Sequence, residues 1–123
     1  MNIVDSSGWL EYFTKGKNGP AFLPIIQDTE NLLVPTVVIF EVFKRVLATQ
    51  GVETALSAAS VMASGQEVEL DHKIAIDAAY LSVESKLAMA DSIILATAQA
   101  YEATLWTQDA HFQGIEGVQV IEK

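Results

Sequence analysis

Four acidic residues lie next to or inside apolar segments of the sequence. Asp5 and Asp109 each follow a short apolar run, whereas Glu41 and Asp91 interrupt longer apolar segments. A carboxylate in such surroundings risks desolvation, which is costly for an unpaired charge. If several of them meet, they repel one another and their pKa values rise. A divalent cation removes that conflict, and oxygen ligands without cysteine or a histidine pair favour Mg²⁺ or Mn²⁺ over zinc.

Each of these acids also has a purely structural interpretation. Asp5 and Asp91 are typical N-caps of the helices predicted to follow them, and Asp109 is typical of a turn. Glu41 is an ordinary exposed helix position if it pairs with Arg45, four residues on. An N-cap position for Asp91 would serve a site as well, because the positive end of the helix dipole keeps a carboxylate ionised. For Glu41, spacing alone leaves both interpretations open.

The elements that must position the acids alternate between strands and helices. Short strands are predicted at residues 2–4, 32–34, 67–70, 104–107 and 118–121. The sequence between them favours helices, with the 67–70 strand at an edge. Such alternation indicates one α/β domain over residues 1–123, a three-layer α/β/α sandwich with a mostly parallel central sheet. Ligands of such sheets bind beyond the carboxyl ends of the strands, where Asp5 and Asp109 would lie.

Several details of the helices follow from capping and from proline. Ser6 and Ser7 offer an N-cap to the first helix, and Thr36 offers one to the long third helix. Pro24 belongs to the first turn of the short second helix, since only that turn tolerates proline well. The third helix is expected to leave Glu41 at the boundary of a buried face that consists of Ile39, Phe40, Phe43 and Leu47.

The composition limits the possible ligands. Sixteen Asp and Glu face seven Lys and Arg, a formal net charge of −9, whereas a protein that binds nucleic acid by electrostatics alone would be basic. Three interpretations remain open: the ligand is not nucleic acid, bound cations reverse the local field, or the partner is a basic protein. The absence of cysteine excludes disulfides, thiolate nucleophiles and Cys-based zinc sites.

The sequence favours a cytoplasmic protein. Its first residues have neither the basic region nor the apolar stretch of a secretory signal. The longest strongly apolar stretch, around residues 32–40, is interrupted by Pro35 and is too short to span a membrane. We therefore expect a soluble protein without a membrane partner.

Four short motifs follow one another along the chain. They are residues 3–7 (IVDSS), Glu41 in the long helix after residues 34–35, residues 87–98 (LAMADSIILATA), and residues 105–109 (LWTQD) with Phe112 and residues 117–121 (GVQVI) behind them. This order resembles the PIN-domain nucleases, and especially the VapC-type toxins of toxin–antitoxin pairs. The third and fourth motifs are the specific ones. His111 is a departure, because relatives often carry another acid there.

The resemblance implies both a site and an activity. It implies that one or two Mg²⁺ or Mn²⁺ ions are held by four acids, Asp5, Glu41, Asp91 and Asp109. It also implies an endoribonuclease that hydrolyses RNA with a metal-activated water, a homodimer, and inhibition by a small antitoxin protein. Ser6 and Thr107 are candidates for contacts to phosphate or for support of the acids.

Two other functions fit the sequence less well. A phosphoacceptor receiver domain needs a second acid next to the first strand and a Lys after the last one. Here Asp5 is followed by Ser6, and the late strands carry no Lys before Lys123. A catalytically inactive PIN-like interaction module stays open, because four acids in sequence do not guarantee an intact site. His72 and His111 have no partner at a spacing typical of metal ligands.

Overall fold

Five short strands form one parallel sheet in the computed structural model, which describes all residues from 1 to 123. The strands are β1 (Asn2–Val4), β2 (Leu32–Pro35), β3 (Gln66–Val68), β4 (Thr104–Thr107) and β5 (Val118–Val120). They lie in the order β3-β2-β1-β4-β5, and all neighbouring strands are parallel. The predicted parallel sheet is confirmed, and so is the edge position of the third strand.

Six helices cover the sheet on both faces. They are α1 (Ser6–Phe13), α2 (Gly19–Gln27), α3 (Thr36–Gln50), α4 (Val52–Met62), α5 (His72–Ser85) and α6 (Met89–Ala100). The first two crossovers move one way across the sheet, and the crossover from β3 to β4 moves back. Because such crossovers are right-handed, α1 to α4 lie on one face and α5 and α6 on the other. The predicted three-layer α/β/α fold is confirmed. None of the helices combines the length and apolar character that a membrane span requires.

The strands β1 and β4 lie side by side where the chain reverses its direction across the sheet. Their register sets Val4 opposite Trp106. Open α/β sheets bind their ligands at this reversal point, beyond the carboxyl ends of the strands. Asp5 directly follows β1, and Asp109 lies two residues beyond β4. The topology alone therefore brings these two acids to one place.

The central strands and α6 form the core. Ile3, Val34 and Leu105 are fully buried, and α6 is buried continuously from Ser92 to Ala98. Complete burial of one such aliphatic side chain stabilises the fold by about 1.5–3 kcal/mol.

Gly8 fixes how the chain leaves β1. A Cβ atom at Gly8 would lie 2.6 Å from Val4 Cγ1 and 2.8 Å from Phe22 Cε1. Only glycine therefore lets α1 pack this closely on β1 and α2, immediately after Asp5.

The starts of two helices decide between predicted caps. Asp5 is the N-cap of α1, as its structural interpretation predicted, and Ser6 and Ser7 are not, because the extended backbone of Asp5 precedes the helix and its carboxylate accepts a hydrogen bond from the first turn. Thr36 is the first residue of α3 and does not cap it. Pro35 stands at that cap position without a side-chain hydrogen bond, since its fixed φ ends the strand and leads directly into the helix.

Two further predictions about helix ends are wrong. Asp91 is the third residue of α6 and not its N-cap, because Ala88 holds the extended cap conformation and the helix begins at Met89. Pro24 lies inside α2, beyond the first turn, because that helix already begins at Gly19. Pro24 is exposed, so water can satisfy the carbonyl that loses its helical donor.

The buried face of α3 is rotated relative to the prediction. Val38, Val42 and Val46 form its fully buried contacts, at a spacing of four residues. Phe40 is 63% exposed and Leu47 is 44% exposed, so neither is a core residue. An almost continuous apolar run contains several possible helical faces, and periodicity could not select among them. The boundary position of Glu41 is nevertheless confirmed, since it is partly exposed.

Candidate functional site

Asp5 is the most firmly held acid of the molecule. Its side chain is buried, and Oδ1 accepts hydrogen bonds from Ser7 Oγ at 2.7 Å and from the Gly8 backbone N–H at 2.9 Å. Its Oδ2 accepts a hydrogen bond from Thr107 Oγ1 at 2.5 Å. Three donors, two from α1 and one from β4, therefore fix both carboxylate oxygens.

Burial raises the pKa of Asp5 above its ordinary value, although the bonds from Thr107, Ser7 and Gly8 lower it. The negative charge of Asp109 raises the pKa of Asp5 further. Desolvation is the largest cause, and no positively charged group is among those that lower the pKa. The ionised Asp5 therefore has no compensating charge. That is the condition in which a carboxylate favours a nearby cation.

Thr107 joins Asp5 to Asp109. Its Oγ1 donates to Asp5 and accepts a hydrogen bond from the Asp109 backbone N–H at 2.9 Å. Asp109 Oδ1 in turn accepts from the His111 backbone N–H at 2.9 Å, which caps the short 3₁₀ turn Ala110–Phe112. The sequence prediction of Thr107 as a supporting hydroxyl therefore agrees with these contacts. Its role in any chemistry stays a prediction.

His111 lies beside the site, which the sequence prediction missed. Its Nδ1 is 3.0 Å from Asp109 Oδ1, and the ring is largely exposed. The prediction considered only partners at a spacing typical of metal ligands and overlooked the carboxylate two residues earlier in a tight turn. His111 is the only positively chargeable group that acts on Asp91, whose pKa it lowers.

Glu41 is linked to the end of β1 through Ser6. Ser6 Oγ donates to Glu41 Oε1 at 2.5 Å, and Ser6 directly follows Asp5 in the chain. The alternative that Glu41 pairs with Arg45 is wrong, because the ion pairs of the structure are Lys73–Asp77 and His111–Asp109. The predicted supporting role of Ser6 thus has a specific partner.

Asp91 lies where the repulsion of the other acids converges. It is partly buried in the first turn of α6 and makes no side-chain hydrogen bond. Burial, and then the charges of the other three acids, raise its pKa to about 6. The predicted upward shift by crowded carboxylates is therefore confirmed. The positive end of the helix dipole favours the ionised form of Asp91, but burial and repulsion outweigh it.

These residues fit a hard divalent cation by their chemistry. The site offers carboxylate and hydroxyl oxygens, and no Lys or Arg is among the groups that shift the pKa of Asp5 or Asp91. Oxygen-rich, negatively charged sites of this kind suit Mg²⁺ or Mn²⁺. No three Asp, Glu or His side chains converge closely enough to hold one ion as they stand. Binding would therefore require side-chain rotation, for which the partly exposed Glu41, Asp91 and Asp109 have room.

The chain belongs to the PIN-domain family. The family's sequence profile, described as PIN domain, matches residues 3–118. That range contains all four acids and nearly the whole fold. The family assignment made from the order of the motifs is therefore confirmed.

Several solved structures share the fold. A chain of a toxin–antitoxin complex from Klebsiella pneumoniae has a TM-score of 0.86 at 22% identity, with 100% of each chain covered. VapBC2 from Rickettsia felis, bound to a fragment of its promoter DNA, gives 0.77 at 16% identity, covering 98% of this chain and 97% of that one. VapC20 from Mycobacterium tuberculosis, described as a sarcin–ricin-loop-cleaving toxin, gives 0.77 at 13% identity, covering 100% and 98%. A search of curated proteins gave no match.

Proposed function

We propose that this chain is a Mg²⁺- or Mn²⁺-dependent endoribonuclease and the toxin of a type II toxin–antitoxin pair. The observation that carries the proposal is the gathering of four carboxylates at the reversal point of the sheet, where burial and then the charges of the other three raise the pKa of Asp91 to about 6. Membership of the PIN-domain family supports a nuclease. The structural neighbours, which come from toxin–antitoxin complexes, support the toxin role.

The four acids have different parts in this proposal. Asp5 is fixed by its three hydrogen bonds and is closed to solvent, so it orients the site without moving. Glu41, Asp91 and Asp109 are partly exposed, so a substrate can reach them. Ser6 holds Glu41, and Thr107 holds both Asp5 and the backbone of Asp109. No protein nucleophile is needed for hydrolysis.

The metal site also accounts for the acidic composition. Mg²⁺ or Mn²⁺ held among the four carboxylates would activate a water molecule and neutralise charge on the scissile phosphate. A carboxylate oxygen of Asp91 or Asp109 accepts the proton that the attacking water loses. A chain with a net charge of −9 then binds a polyanion at this one place. A basic side chain of the antitoxin would fit the same acidic pocket and inhibit it.

An inactive interaction module is the second candidate. The observation that favours it is the lack of three converging carboxylates or imidazoles. The two candidates differ in cation binding, because only the nuclease requires the acids to close on an ion. Calorimetric titration of the chain with Mn²⁺ therefore separates them.

The direct test is cleavage by the purified chain without antitoxin. Mixed RNA and single-stranded DNA would be incubated with Mg²⁺ or Mn²⁺, beside EDTA and the variant Asp91→Asn. We expect RNA cleavage that EDTA abolishes and that Asp91→Asn reduces more than about 100-fold, since loss of a residue that only supports a metal ligand already costs 10–100-fold. Glu53→Gln, which removes the same charge at an exposed position of α4, is the matched control and should remain active.

Each outcome points to one of the candidates. Full activity of Asp91→Asn would remove Asp91 from the site. A chain that cleaves no RNA and binds no Mn²⁺ would favour the interaction module. Cleavage of DNA alone would keep the site and change the substrate.

The homodimer that the family resemblance implies and the cytoplasmic location that the sequence favours stay predictions. Light scattering of the purified chain tests the dimer, which would have twice the mass of one chain. Co-purification with a small protein encoded beside it tests the antitoxin. A monomer that cleaves RNA would contradict the dimer and leave the nuclease intact.

A further inference from the structure

A cavity of about 460 Å³ opens between α1 and α3. Its wall next to the site consists of Ser7 and Gln108. Ser7 donates to Asp5, and Gln108 lies between Thr107 and Asp109 in the chain. Proteins hold small ligands in cavities of about 300–1,000 Å³. The cavity is thus large enough for part of a substrate, and Ser7 joins its wall to Asp5 by a hydrogen bond.

Arg45 lines the far side of this cavity and is the only arginine of the chain. On α3 it lies one turn beyond Glu41, roughly 6 Å along the helix axis. It is exposed, and it takes part in neither of the two ion pairs of the structure. In a chain with a net charge of −9, a guanidinium without an ion-pair partner is free to bind an anionic group of a ligand. A guanidinium matches phosphate with two parallel hydrogen bonds.

Half of the remaining lining residues are neutral and polar, namely Thr14, Thr49 and Gln50, and the others are two apolar side chains and one acid. Thr14 and Thr49 donate their hydroxyl protons to backbone carbonyls, so their oxygens remain available as acceptors. Glu11 is the one acid of the lining, and its Oε2 already accepts from the Asn18 backbone N–H at 2.9 Å. Hydroxyl and amide groups of this kind suit the 2′-hydroxyls and base edges of a single strand.

We infer that the cavity between α1 and α3 is a subsite for a nucleotide of single-stranded RNA next to the scissile phosphate, and that Arg45 binds the phosphate of that nucleotide. The inference rests on the proposed nuclease function and extends it to the path of the substrate. Because α1 and α3 both run away from the carboxylates, the strand leaves the site along the groove between them. Arg45 acts in binding, so its loss changes the affinity for RNA more than the rate of cleavage.

Lys44 offers a matched control for Arg45. It is the neighbouring residue on α3, it is exposed, and its Nζ lies 5.8 Å from the centre of the Phe40 ring. It lines a second surface depression, which also includes Glu41 and Arg45, and it does not line the cavity between α1 and α3. Lys44→Gln and Arg45→Gln remove the same charge from nearly the same place. Any difference between them therefore reports a local contact and not the overall field.

The test measures RNA binding and cleavage separately. Binding of a fluorescein-labelled single-stranded RNA of mixed sequence would be followed by anisotropy at several KCl concentrations, with Mg²⁺ and the Asp91→Asn chain to prevent cleavage. We expect Arg45→Gln to raise Kd about tenfold, the size of one lost charge-assisted hydrogen bond. It should also reduce the slope of log Kd against log salt by about 0.7, the value for one phosphate on a single strand. Arg45→Lys should recover the slope but only part of the affinity.

The same substitutions in the otherwise unchanged chain complete the test. We expect Arg45→Gln to raise KM about tenfold with kcat within about twofold, and Lys44→Gln to change neither. Equal effects of Arg45→Gln and Lys44→Gln, or no effect of either, would overturn the subsite while RNA cleavage by the unchanged chain upholds the nuclease. A chain that neither binds nor cleaves RNA would overturn both.

Discussion

Asp5 and Asp91 belong to one cluster, yet the fold treats them differently. Asp5 is buried at the junction of β1 and α1, and its two oxygens accept three hydrogen bonds. Asp91 is partly exposed in the first turn of α6, without a side-chain hydrogen bond. Burial is the largest cause of the raised pKa in both. At Asp5 the hydrogen bonds oppose that shift, whereas at Asp91 three further acids add to it.

The difference separates structural support from function within one site. Asp5 caps α1 and joins β1 to β4 through Thr107, so the fold itself uses its carboxylate. Asp91 has no such structural role, and its charge destabilises the folded chain. A carboxylate that is kept near three others without a structural partner is best explained by a ligand that requires it. The predictions below test whether this contrast holds.

The largest effect on the fold is expected at Asp5. Asp5→Ala removes the cap of α1, worth about 0.5–2 kcal/mol, and leaves the buried Thr107 hydroxyl without its acceptor, which costs a further 1–3 kcal/mol. Asp5→Asn keeps an acceptor for Gly8 and removes the poorly solvated charge. In EDTA at pH 7 we expect Asp5→Ala to lower the free energy of unfolding by about 2 kcal/mol or more, and Asp5→Asn to leave it unchanged or raise it.

Urea denaturation of the two variants measures this difference, with RNA cleavage as the second readout. Both variants should lose activity, because both lack the carboxylate. Equal destabilisation by Ala and Asn would mean that the charge of Asp5, and not its hydrogen bonds, stabilises α1. The contrast with Asp91 would then fail.

A smaller effect, on cleavage and on Mn²⁺ binding, is expected at Thr107. Thr107→Val keeps the shape of the fully buried side chain and removes the hydroxyl that contacts both Asp5 and the Asp109 backbone. We expect a loss of about 10–100-fold in cleavage, typical of residues that orient metal ligands, with weaker Mn²⁺ binding by calorimetry. Thr107→Ser keeps the hydroxyl and should recover most of both. If Thr107→Val binds Mn²⁺ as tightly as the unchanged chain, the Thr107 hydroxyl does not orient metal ligands and the side chain contributes by packing alone.

Much of the fold could be predicted from the sequence because short apolar runs alternate with helical patterns. The carboxyl ends of parallel strands share one edge, so the neighbourhood of Asp5 and Asp109 followed from strand assignments alone. The assignment of Glu41 and Asp91 to the site depended on the resemblance to a family, since each residue also had a good structural explanation.

Other features depended on contacts that no local pattern contains. Thr107 and Asp5 lie 102 residues apart and meet only through the pairing of β1 with β4. The apolar run of α3 offered several buried faces, and tertiary packing selected the valines over Phe40. Helical spacing made a pair between Arg45 and Glu41 possible, but Ser6 donates a hydrogen bond to Glu41 instead. Helical spacing makes such pairs possible, and competing partners decide whether they form.

The smallest effect on stability is expected at Asp91, and it depends on pH. Its pKa is raised from 3.8 to about 6 in the folded chain, so folding favours the protonated form. Its contribution to stability is therefore complete below about pH 3.8 and is lost as the pH rises through about 6. Since the group is partly exposed, solvent screening reduces the cost of its charge to about 1 kcal/mol at pH 7.

Asp91→Asn should accordingly be more stable than the unchanged chain by about 1 kcal/mol at pH 7 in EDTA, with the difference vanishing near pH 4. Urea denaturation at a series of pH values measures this. Adding Mn²⁺ should reverse the order, because an ion that binds only the folded chain stabilises it by RT ln(1 + [Mn²⁺]/Kd), and the Asn variant lacks one of its ligands. A variant no more stable than the unchanged chain at pH 7 would show that burial and the other three acids do not destabilise the charge of Asp91. If the variant is more stable but Mn²⁺ changes neither chain, the charges are crowded for some purpose other than a metal.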